Sequence, residues 1–450
     1  MCRAAAVLSL SFVFFFLGAF GSTGNAQTSF TGFLRHETGV QHTRSQDVLF
    51  SRNIIQAVFS SENEDWTIQL TPWLAQRNPS GEAIPAADLR IREAYVGWES
   101  FTWQIRAGRQ FIPSLSSFAD PGSDFFVPYD FSEFLSRDPS DIDLGVNALR
   151  VQHYRLNNTF ELIAIPVFQP STLPDIESRW NIIPLDAITG GVGQPVIEES
   201  NRDTDRLQFG LRWSNRTWLK WDFNATLYSG YYPQPAFRKE VLYADNTGLP
   251  SDIALSQSYV NSTVILLETE YRSNRNWVSG AALTYWSDTP TDTFPVALRS
   301  DTTLTLNQLL ETIESYNQTA FTRSSGLFQA AFFVQKTLMG TQFRLGYTAQ
   351  LLENHQKDTL QDFLFQSISL NASRQELNDY LQMLLLGRFN INGRDAWVSP
   401  QLTYTVFDGV ALSAGSQFFI GTEPDPFYAH LSFAPLRQNS FSYLKLTAYW

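Results

Sequence analysis

Along most of this chain, apolar and polar residues alternate one by one. Apolar side chains occupy every second position of segments such as 206–213, 219–227 and 343–351. Successive side chains of a β-strand point to opposite faces, so each segment predicts a strand with one apolar and one polar face. The first half of the chain divides in this way into predicted strands at 28–42, 47–60, 65–77, 87–99, 101–110, 145–156, 158–168, 204–215 and 217–231.

The connections between these strands alternate in length. Tight connections are predicted at Glu99-Ser100, Asn157-Asn158, Asn215-Arg216, 273–275 and 338–340, and long ones at 111–144, 169–203, 232–257 and 288–324. Every second connection of an antiparallel sheet lies at the same end, so the long and short connections fall at opposite ends. A soluble sandwich has the same alternation within its strands, but this asymmetry is typical of outer-membrane barrels. We therefore predict an all-β, transmembrane antiparallel β-barrel of 16–18 strands, with 18 as the best count, long extracellular loops and short periplasmic turns.

Two regions are harder to interpret. Segment 363–370 reads as a strand, while segment 377–386 reads as a strand or a short helix. Within the connection 288–324, Leu306, Leu309, Leu310 and Ile313 follow helical spacing. We interpret this stretch as a small helix on or in the barrel mouth.

The two ends of the chain carry further signals. Residues 441–450 alternate strictly and finish on Trp450, as expected of a closing strand whose last aromatic lies in an interfacial girdle. Residues 1–26 combine Arg3, an apolar run and a small-residue ending, which indicates a signal peptide; a retained N-terminal anchor is the alternative. We expect residues 27–450 to form a single barrel domain.

Composition excludes several classes of protein. The net charge is −12, which gives no support for nucleic-acid binding. Cys2 is the only cysteine, so the sequence predicts neither a disulfide scaffold nor a cysteine-ligated metal. Hydrophobic residues make up 43% of the chain and aromatic residues 14%. Spread over alternating positions, this content suits a barrel in contact with the lipid bilayer.

Several segments between residues 89 and 168 resemble a mostly uncharacterised family of large porin-like outer-membrane proteins of Gram-negative bacteria. The resemblance rests on Leu89–Val96, Arg106–Gln110, Phe134–Pro139, Leu144–Leu149 and Ile165–Phe168, and the end of the chain from Asp408 is similar to that family's closing hairpin. The resemblance implies a barrel in the cell outer membrane with a role in transport. It implies no catalytic residues and no particular substrate.

Catalytic and metal motifs are missing from the sequence. None of the five histidines has a partner at metal-ligand spacing, and there is no nucleophile-elbow serine. His153 is the one candidate base, and as a lone histidine on a strand it is better explained as structural. We therefore predict that the protein is not an enzyme and has no cofactor and no metal.

The connection 111–144 is both acidic and aromatic. It carries Phe118, Phe125, Phe126, Tyr129, Phe131 and Phe134, and six aromatic residues favour a loop folded onto or into the barrel over a solvated surface loop. A Ca²⁺ site is an open alternative, although the spacing does not fit an EF-hand. As candidates for a constriction loop we take Asp120, Asp124, Asp130, Glu133, Asp138, Asp141 and Asp143.

Charged residues in mid-strand are expected to face the lumen, because a cation on the lipid face costs about 2–4 kcal/mol at the bilayer midplane. This rule assigns to the pore wall Arg90, Arg92, Arg106, Arg150, Arg206, Arg212, Lys220, Arg344, Arg388 and Lys445, together with Glu161, Asp222, Glu268 and Glu270. The wall would then be net basic, unless cross-barrel ion pairs neutralise it. We expect the loop carboxylates to pair with Arg90, Arg92, Arg106 and Arg150.

These features predict a porin-like channel or a substrate-specific transporter for a small solute. Rings of arginine and lysine favour anions, so the solute is expected to be anionic. The alternative is a conduit for a secreted polymer or a component of an envelope assembly. The expected partners are the lipid bilayer and an unknown small solute, with no nucleic acid; an oligomer stays open.

Overall fold

A computed structural model of the chain describes residues 27–42, 47–79, 86–112, 125–133, 136–174, 178–180, 195–197, 207–216, 220–233, 235–243, 250–273, 276–293, 305–319, 322–422 and 432–450. The predicted signal peptide lies outside these residues. No helix within them is long and apolar enough to cross a membrane.

An 18-stranded antiparallel sheet dominates the structure. Its strands are β1 (Gln27–Gln41), β2 (Val48–Glu62), β3 (Trp66–Pro79), β4 (Ala86–Glu99), β5 (Trp103–Gln110), β6 (Val146–Arg155), β7 (Asn158–Ile165), β9 (Gln208–Arg216), β10 (Trp221–Tyr231), β13 (Asn261–Arg272), β14 (Trp277–Asp292), β15 (Thr322–Leu338), β16 (Thr341–Leu352), β17 (Leu364–Glu376), β18 (Leu381–Asn390), β19 (Asp395–Phe407), β20 (Val410–Ile420) and β21 (Phe441–Tyr449). Each barrel strand pairs with the next one along the chain, and β1 also pairs with β21. The sheet is therefore a closed barrel, and the predicted fold class and best strand count are confirmed.

The seam between the first and last strands extends one residue beyond β21. Gly32 and Trp450 exchange two backbone hydrogen bonds, with N···O distances of 3.1 and 3.2 Å. The Trp450 indole lies over Gly32 and near Phe30, whose ring centroid is 6.2 Å away. Closure removes the free sheet edges that would otherwise pair with other chains.

Alternation within the strands separates an apolar outer face from a polar inner face. In β21 the side chains of Leu444 and Leu446 are 60% and 48% exposed, whereas Lys445 and Thr447 between them are 7% and 5% exposed. In a closed barrel the inner face is the lumen, and the outer face meets lipid. Eighteen strands enclose a lumen wide enough for an aqueous channel.

The long connections carry structure of their own. Strands β8 (Pro195–Ile197), β11 (Ala236–Tyr243) and β12 (Pro250–Ser258) form a separate three-stranded sheet, so the connection 232–257 is not the plain loop that its length suggests. Two α-helices, α1 (Pro139–Ile142) and α2 (Leu306–Asn317), and a 3-10 helix (Ala434–Asn439) complete the described elements. Helix α2 follows a capping box and packs against β11, so the predicted helix is confirmed.

Each tight connection lies within five residues of the position that the sequence predicts. The turn after β15 contains Met339 and Gly340, and the turn after β6 contains Leu156 and Asn157. The region 355–392 resolves into two strands, β17 and β18, so its second half is a strand and not a short helix. One connection at the opposite, long-loop end of the barrel, 391–394, is short.

Candidate functional site: the barrel lumen

The described parts of the connection between β5 and β6 (111–112, 125–133 and 136–145) lie inside the barrel, and Phe125 and Phe126 pack on the inner wall. Phe125 and Phe126 are 6% and 2% exposed. Their ring centroids lie 5.1 and 5.2 Å from that of Tyr228 on β10, and Phe125 meets Trp286 of β14 edge to face at 5.6 Å. This cluster also includes Val264 and residues of β6 and β7, so it fills the lumen along the β6–β14 side. Burial of aromatic rings in this geometry holds the loop against that wall.

The acidic part of the same connection contacts the other side of the lumen. Asp130 is 0% exposed, and its carboxylate forms ion pairs with Arg90 of β4 and with Arg137 of the loop itself. Arg90 also pairs with Asp88 on its own strand, at 2.6 Å. A buried carboxylate is stable only when it is paired and hydrogen-bonded, and Asp130 meets both conditions.

Glu133 anchors the loop to β2 and β3. Its carboxylate pairs with Arg52 and, at 3.3 Å, with Arg77. Arg52 is 2% exposed and also reaches Glu37 of β1 at 2.7 Å, and it donates a hydrogen bond to the Ser136 carbonyl at 2.7 Å. One guanidinium thus joins two barrel strands to the loop.

Asp138 and Asp141 anchor the loop to the seam. Asp138 caps helix α1 and pairs with Lys445 of β21 at 2.6 Å and with Arg35 of β1 at 3.7 Å. Asp141 pairs with Arg35, and Arg92 of β4 lies 3.9 Å from it. Burial by itself raises the pKa of Asp138, but the neighbouring Lys445 and Arg35 charges outweigh it and hold that pKa well below the usual range.

The loop therefore crosses the lumen, with an aromatic anchor on one wall and ion pairs on the other. Asp130, Glu133, Asp138 and Asp141 each contact at least one arginine or lysine. Asp143 differs, because burial raises its pKa and nearby Arg92 only partly opposes the shift. The predicted loop residues Asp120 and Asp124 lie outside the described residues.

The expected pairing of four arginines with the loop is right for two of them. Arg90 and Arg92 contact loop carboxylates, whereas Arg150 pairs with Glu161 of β7, so the expectation is wrong for Arg150. The reason is register, since Glu161 lies on the strand next to Arg150 and takes both Arg150 and Arg212. The expectation is also wrong for Arg106, which forms no ion pair with a described residue.

Arg106 adds positive charge to the part of the lumen wall that β5 and β6 form. It lies directly opposite Arg150 in the β5–β6 pairing, and its guanidinium sits 5.3 Å from the centre of the Tyr95 ring. Arg150 and Arg212 both pair with Glu161, and Arg106 lies beside them and interacts with Glu93, so three guanidiniums lie close together near two carboxylates. Arg212 also lies 4.4 Å from the ring centre of Phe126, which places this basic cluster next to the loop.

The other predicted wall residues are distributed around the barrel. Arg344 on β16, Arg388 on β18 and Glu268 and Glu270 on β13 occupy lumen-facing positions of their strands. Asp222 of β10 also faces the lumen, 3.1 Å from Arg272. Lys220 does not, because it lies in the turn before β10 with a φ of 80° and is exposed, so its assignment to mid-strand is wrong. Arg206 lies outside the described residues.

Sequence reasoning missed three of the cations that hold the loop. Arg35, Arg52 and Arg77 lie at inward positions of β1 to β3, and the rule applied to mid-strand charges elsewhere would have found them. Arg92 enters the lumen for another reason. The β3–β4 register shifts between Thr71 and Pro72, and this bulge lets Arg90, Arg92 and Glu93 all turn inward.

His153 occupies the lipid side of β6 near the end of the strand. Its ring centroid lies 4.4 Å from that of Trp103 on β5. A histidine that packs against a tryptophan near the end of a strand has a packing role, which supports the structural interpretation of this residue.

Comparison with solved structures identifies the fold. OccAB3 of Acinetobacter baumannii aligns with a TM-score of 0.53 and 8% identity over 95% of this chain and 99% of that one. OccAB1 of the same species aligns with a TM-score of 0.52 and 8% identity over 96% of this chain and 97% of that one. The chain has the fold of a Gram-negative outer-membrane porin. OccK8 (OprE) of Pseudomonas aeruginosa aligns with a TM-score of 0.53 and 8% identity over 94% of this chain and 98% of that one. No family model matches this chain, and no curated protein matches it. The porin fold confirms the predicted place of the chain, the cell outer membrane.

Proposed function

We propose that this protein is a porin-like channel or substrate-specific transporter for small anionic solutes. The observation that carries the proposal is the loop across the lumen, because it narrows the path beside the guanidiniums of Arg106, Arg150 and Arg212, which lie near the carboxylates of Glu161 and Glu93. Rings of arginine and lysine select for anions at such a constriction. The Occ proteins share the fold of this chain, which supports a porin-like channel but does not indicate the solute.

The ion pairs on the loop favour a neutral constriction with a basic flank. The loop carboxylates are engaged by Arg35, Arg52, Arg90 and Lys445, so they contribute little net negative charge to the path. Arg106 forms no ion pair with a described carboxylate, although its charge interacts with that of Glu93. We expect this residue to contribute more to selectivity than the arginines that hold the loop.

Reversal potentials of the purified protein in planar bilayers under a KCl gradient test the proposal. We expect anion preference, and we expect Arg106→Gln to lower the anion-to-cation permeability ratio roughly twofold, as for one charge partly screened by salt. The matched control is Lys336→Gln, because Lys336 lies on the lipid face over the Trp277 ring, 4.3 Å from its centre. This change removes the same charge outside the lumen and should leave selectivity unchanged.

Cation preference in both the parent protein and Arg106→Gln would contradict the proposed anion selectivity. No measurable conductance would instead favour a conduit for a secreted polymer or an envelope-assembly component. We also propose that residues 1–26 are a signal peptide and that residues 27–450 act as one barrel domain in the outer membrane. N-terminal sequencing of the protein from outer membranes tests the first of these statements.

A further inference from the structure

A group of polar side chains lies on the lipid face of the barrel beside the seam. They occupy outward positions of β20, β21 and β1 to β3 or follow directly after β1, and together they form what we call the polar stripe: His36, Thr38, His42, Ser51, Asn53, Gln76, Ser416 and Ser442. Arg35 and Glu37, on either side of His36, are 5% and 4% exposed and face the lumen, so His36 faces the lipid. Asn53 is directly opposite His36 and faces the same way. The polar stripe contains no lysine, arginine, aspartate or glutamate.

The polar stripe lies in the half of the membrane nearer the long loops. His36 comes six residues after Phe30, which lies beside Trp450 at the short-turn end of the barrel. A strand tilted by about 40° rises about 2.5 Å per residue along the barrel axis, so His36 is about 15 Å above Phe30 in an apolar band about 25 Å tall. Thr38 is about 5 Å higher still. These depths place the polar stripe in the outer leaflet.

Other strands carry apolar side chains at the same height. Leu227, six residues after Trp221 at the short-turn end of β10, is 45% exposed. Leu283, six residues after Trp277 at the short-turn end of β14, is 50% exposed. The strands of the polar stripe are themselves apolar lower down, where Leu34 of β1 is 47% exposed. The polar stripe is therefore a local departure from the lipid face, in one leaflet and on one side of the barrel.

Hydrogen bonds within the polar stripe satisfy its histidine but not its amides. The His36 Nδ1 atom lies 2.8 Å from the Asn53 Oδ1 atom, and its Nε2 atom lies 3.1 Å from the Thr38 hydroxyl. The Asn53 amide nitrogen and the Gln76 amide form no hydrogen bond with a described residue, although the two side chains are directly opposite each other and exposed. An amide in hydrocarbon costs free energy unless it is hydrogen-bonded. These two amides therefore call for a lipid or protein partner that offers hydrogen-bonding groups.

The depth of the polar stripe indicates which partner it fits. A second copy of the chain would cover these strands along their full height, but their lower half carries the same kind of apolar side chain as the rest of the lipid face. Phospholipid tails carry no hydrogen-bonding group at this depth. Lipopolysaccharide occupies the outer leaflet, and the acyl chains of its lipid A anchor carry amide, ester and hydroxyl groups close to the sugar.

We propose that the polar stripe binds lipid A through these amide, ester and hydroxyl groups. The amides of Asn53 and Gln76 each donate and accept hydrogen bonds, which matches groups of both kinds on the acyl chains. Because the polar stripe is uncharged, it fits this neutral part of the lipid and not its phosphates. The polar stripe lies outside the lumen, so this inference does not depend on the proposed function.

Titration of the purified protein with rough-type lipopolysaccharide, followed by native mass spectrometry, tests the proposal. We expect Asn53→Leu combined with Gln76→Leu to raise the apparent Kd about tenfold, as the loss of two net hydrogen bonds would give. Both changes place apolar side chains on the lipid face, so the barrel should fold, and heat-modifiable gel mobility checks this. The matched control is Asn261→Leu, which removes the same amide from an exposed outward position of β13, away from the polar stripe, and should leave the Kd unchanged.

Equal Kd values for the parent protein and Asn53→Leu/Gln76→Leu would overturn the proposed site, and so would an equal rise in Asn261→Leu. Phosphatidylethanolamine is the second probe, and a tenfold loss of its binding in the double variant would show that the polar stripe does not recognise lipid A. Oligomeric state in nanodiscs without lipopolysaccharide tests the other occupant. An oligomer there that the double variant converts to a monomer would assign the polar stripe to a second copy of the chain and overturn the proposal.

Discussion

Gly32 shows how a single residue position controls closure of the barrel. A Cβ atom at this position would meet the Gln56 carbonyl oxygen and lie 2.7 Å from the Trp450 ring. We predict that Gly32→Ala destabilises the folded barrel by about 1–3 kcal/mol, because the seam must shift to accept the methyl group. Urea titration followed by heat-modifiable gel mobility measures this change.

Gly387 on β18 provides the control for that substitution. The nearest atom to a Cβ at Gly387 is 3.8 Å away, which is an ordinary contact distance. Gly387→Ala should therefore leave the urea midpoint close to that of the parent protein. Equal midpoints for both variants would show that the Trp450 contact does not constrain the seam.

Individual residues also show which positions and contacts the sequence could and could not predict. Alternation alone places Lys445 and Arg212 in the lumen, because a two-residue period has only two faces. Alternation could not predict that the neighbours Arg92 and Glu93 both face the lumen, since this depends on the bulge in β3–β4. The ion-pair partner of a charged residue was harder to predict than the face on which the residue lies. Glu161 takes Arg150 because of the β6–β7 register, which no local pattern encodes.

At the scale of elements, the loop between β5 and β6 is held in the lumen by buried ion pairs. Asp130 is 0% exposed and joins Arg90 of the wall to Arg137 of the loop. We predict that Asp130→Asn loosens the loop, because removing one partner of a buried ion pair costs about 3–5 kcal/mol. Single-channel recordings should show increased current noise, and limited proteolysis should cleave the variant faster.

A matched substitution in a turn separates this effect from a general one. Asp379→Asn lies in the exposed turn between β17 and β18, at a φ of 69° that asparagine tolerates well. We expect this control to match the parent protein in both measurements. If Asp130→Asn also behaves like the parent protein, the remaining ion pairs of the loop and the aromatic contacts of Phe125 and Phe126 are sufficient to hold it.

The contact of the same loop with the seam should depend on pH. Lys445 and Arg35 hold the pKa of Asp138 below its usual range despite the opposing effect of burial. A depressed pKa in the folded state adds stability above the ordinary aspartate pKa of about 3.9, and this stability is lost as the pH falls toward the folded value. We therefore predict a steady current at neutral pH and increased loop noise below about pH 4. Asp138→Asn should show that noise at neutral pH and lose the acid-dependent change.

The whole barrel has two different ends, and the sequence predicted this from connection lengths alone. Parity of the connections is a global property, which explains why the strand count was predictable while the separate sheet of β8, β11 and β12 was not. That sheet pairs β12 with β8 in parallel across more than fifty residues of chain, which no hairpin signal marks.

Surface labelling of intact cells tests the orientation of the barrel. Short turns of outer-membrane barrels face the periplasm and long loops face outward. We predict that an epitope inserted after Lys357, in the exposed connection between β16 and β17, is labelled on intact cells. One inserted after Met339, in the turn between β15 and β16, should be labelled only once the outer membrane is permeabilised. The two sites are the two ends of one strand, β16, so they must lie on opposite sides of the membrane if β16 spans it. Labelling of both sites on intact cells would contradict a spanning β16, and labelling of Met339 alone would invert the orientation.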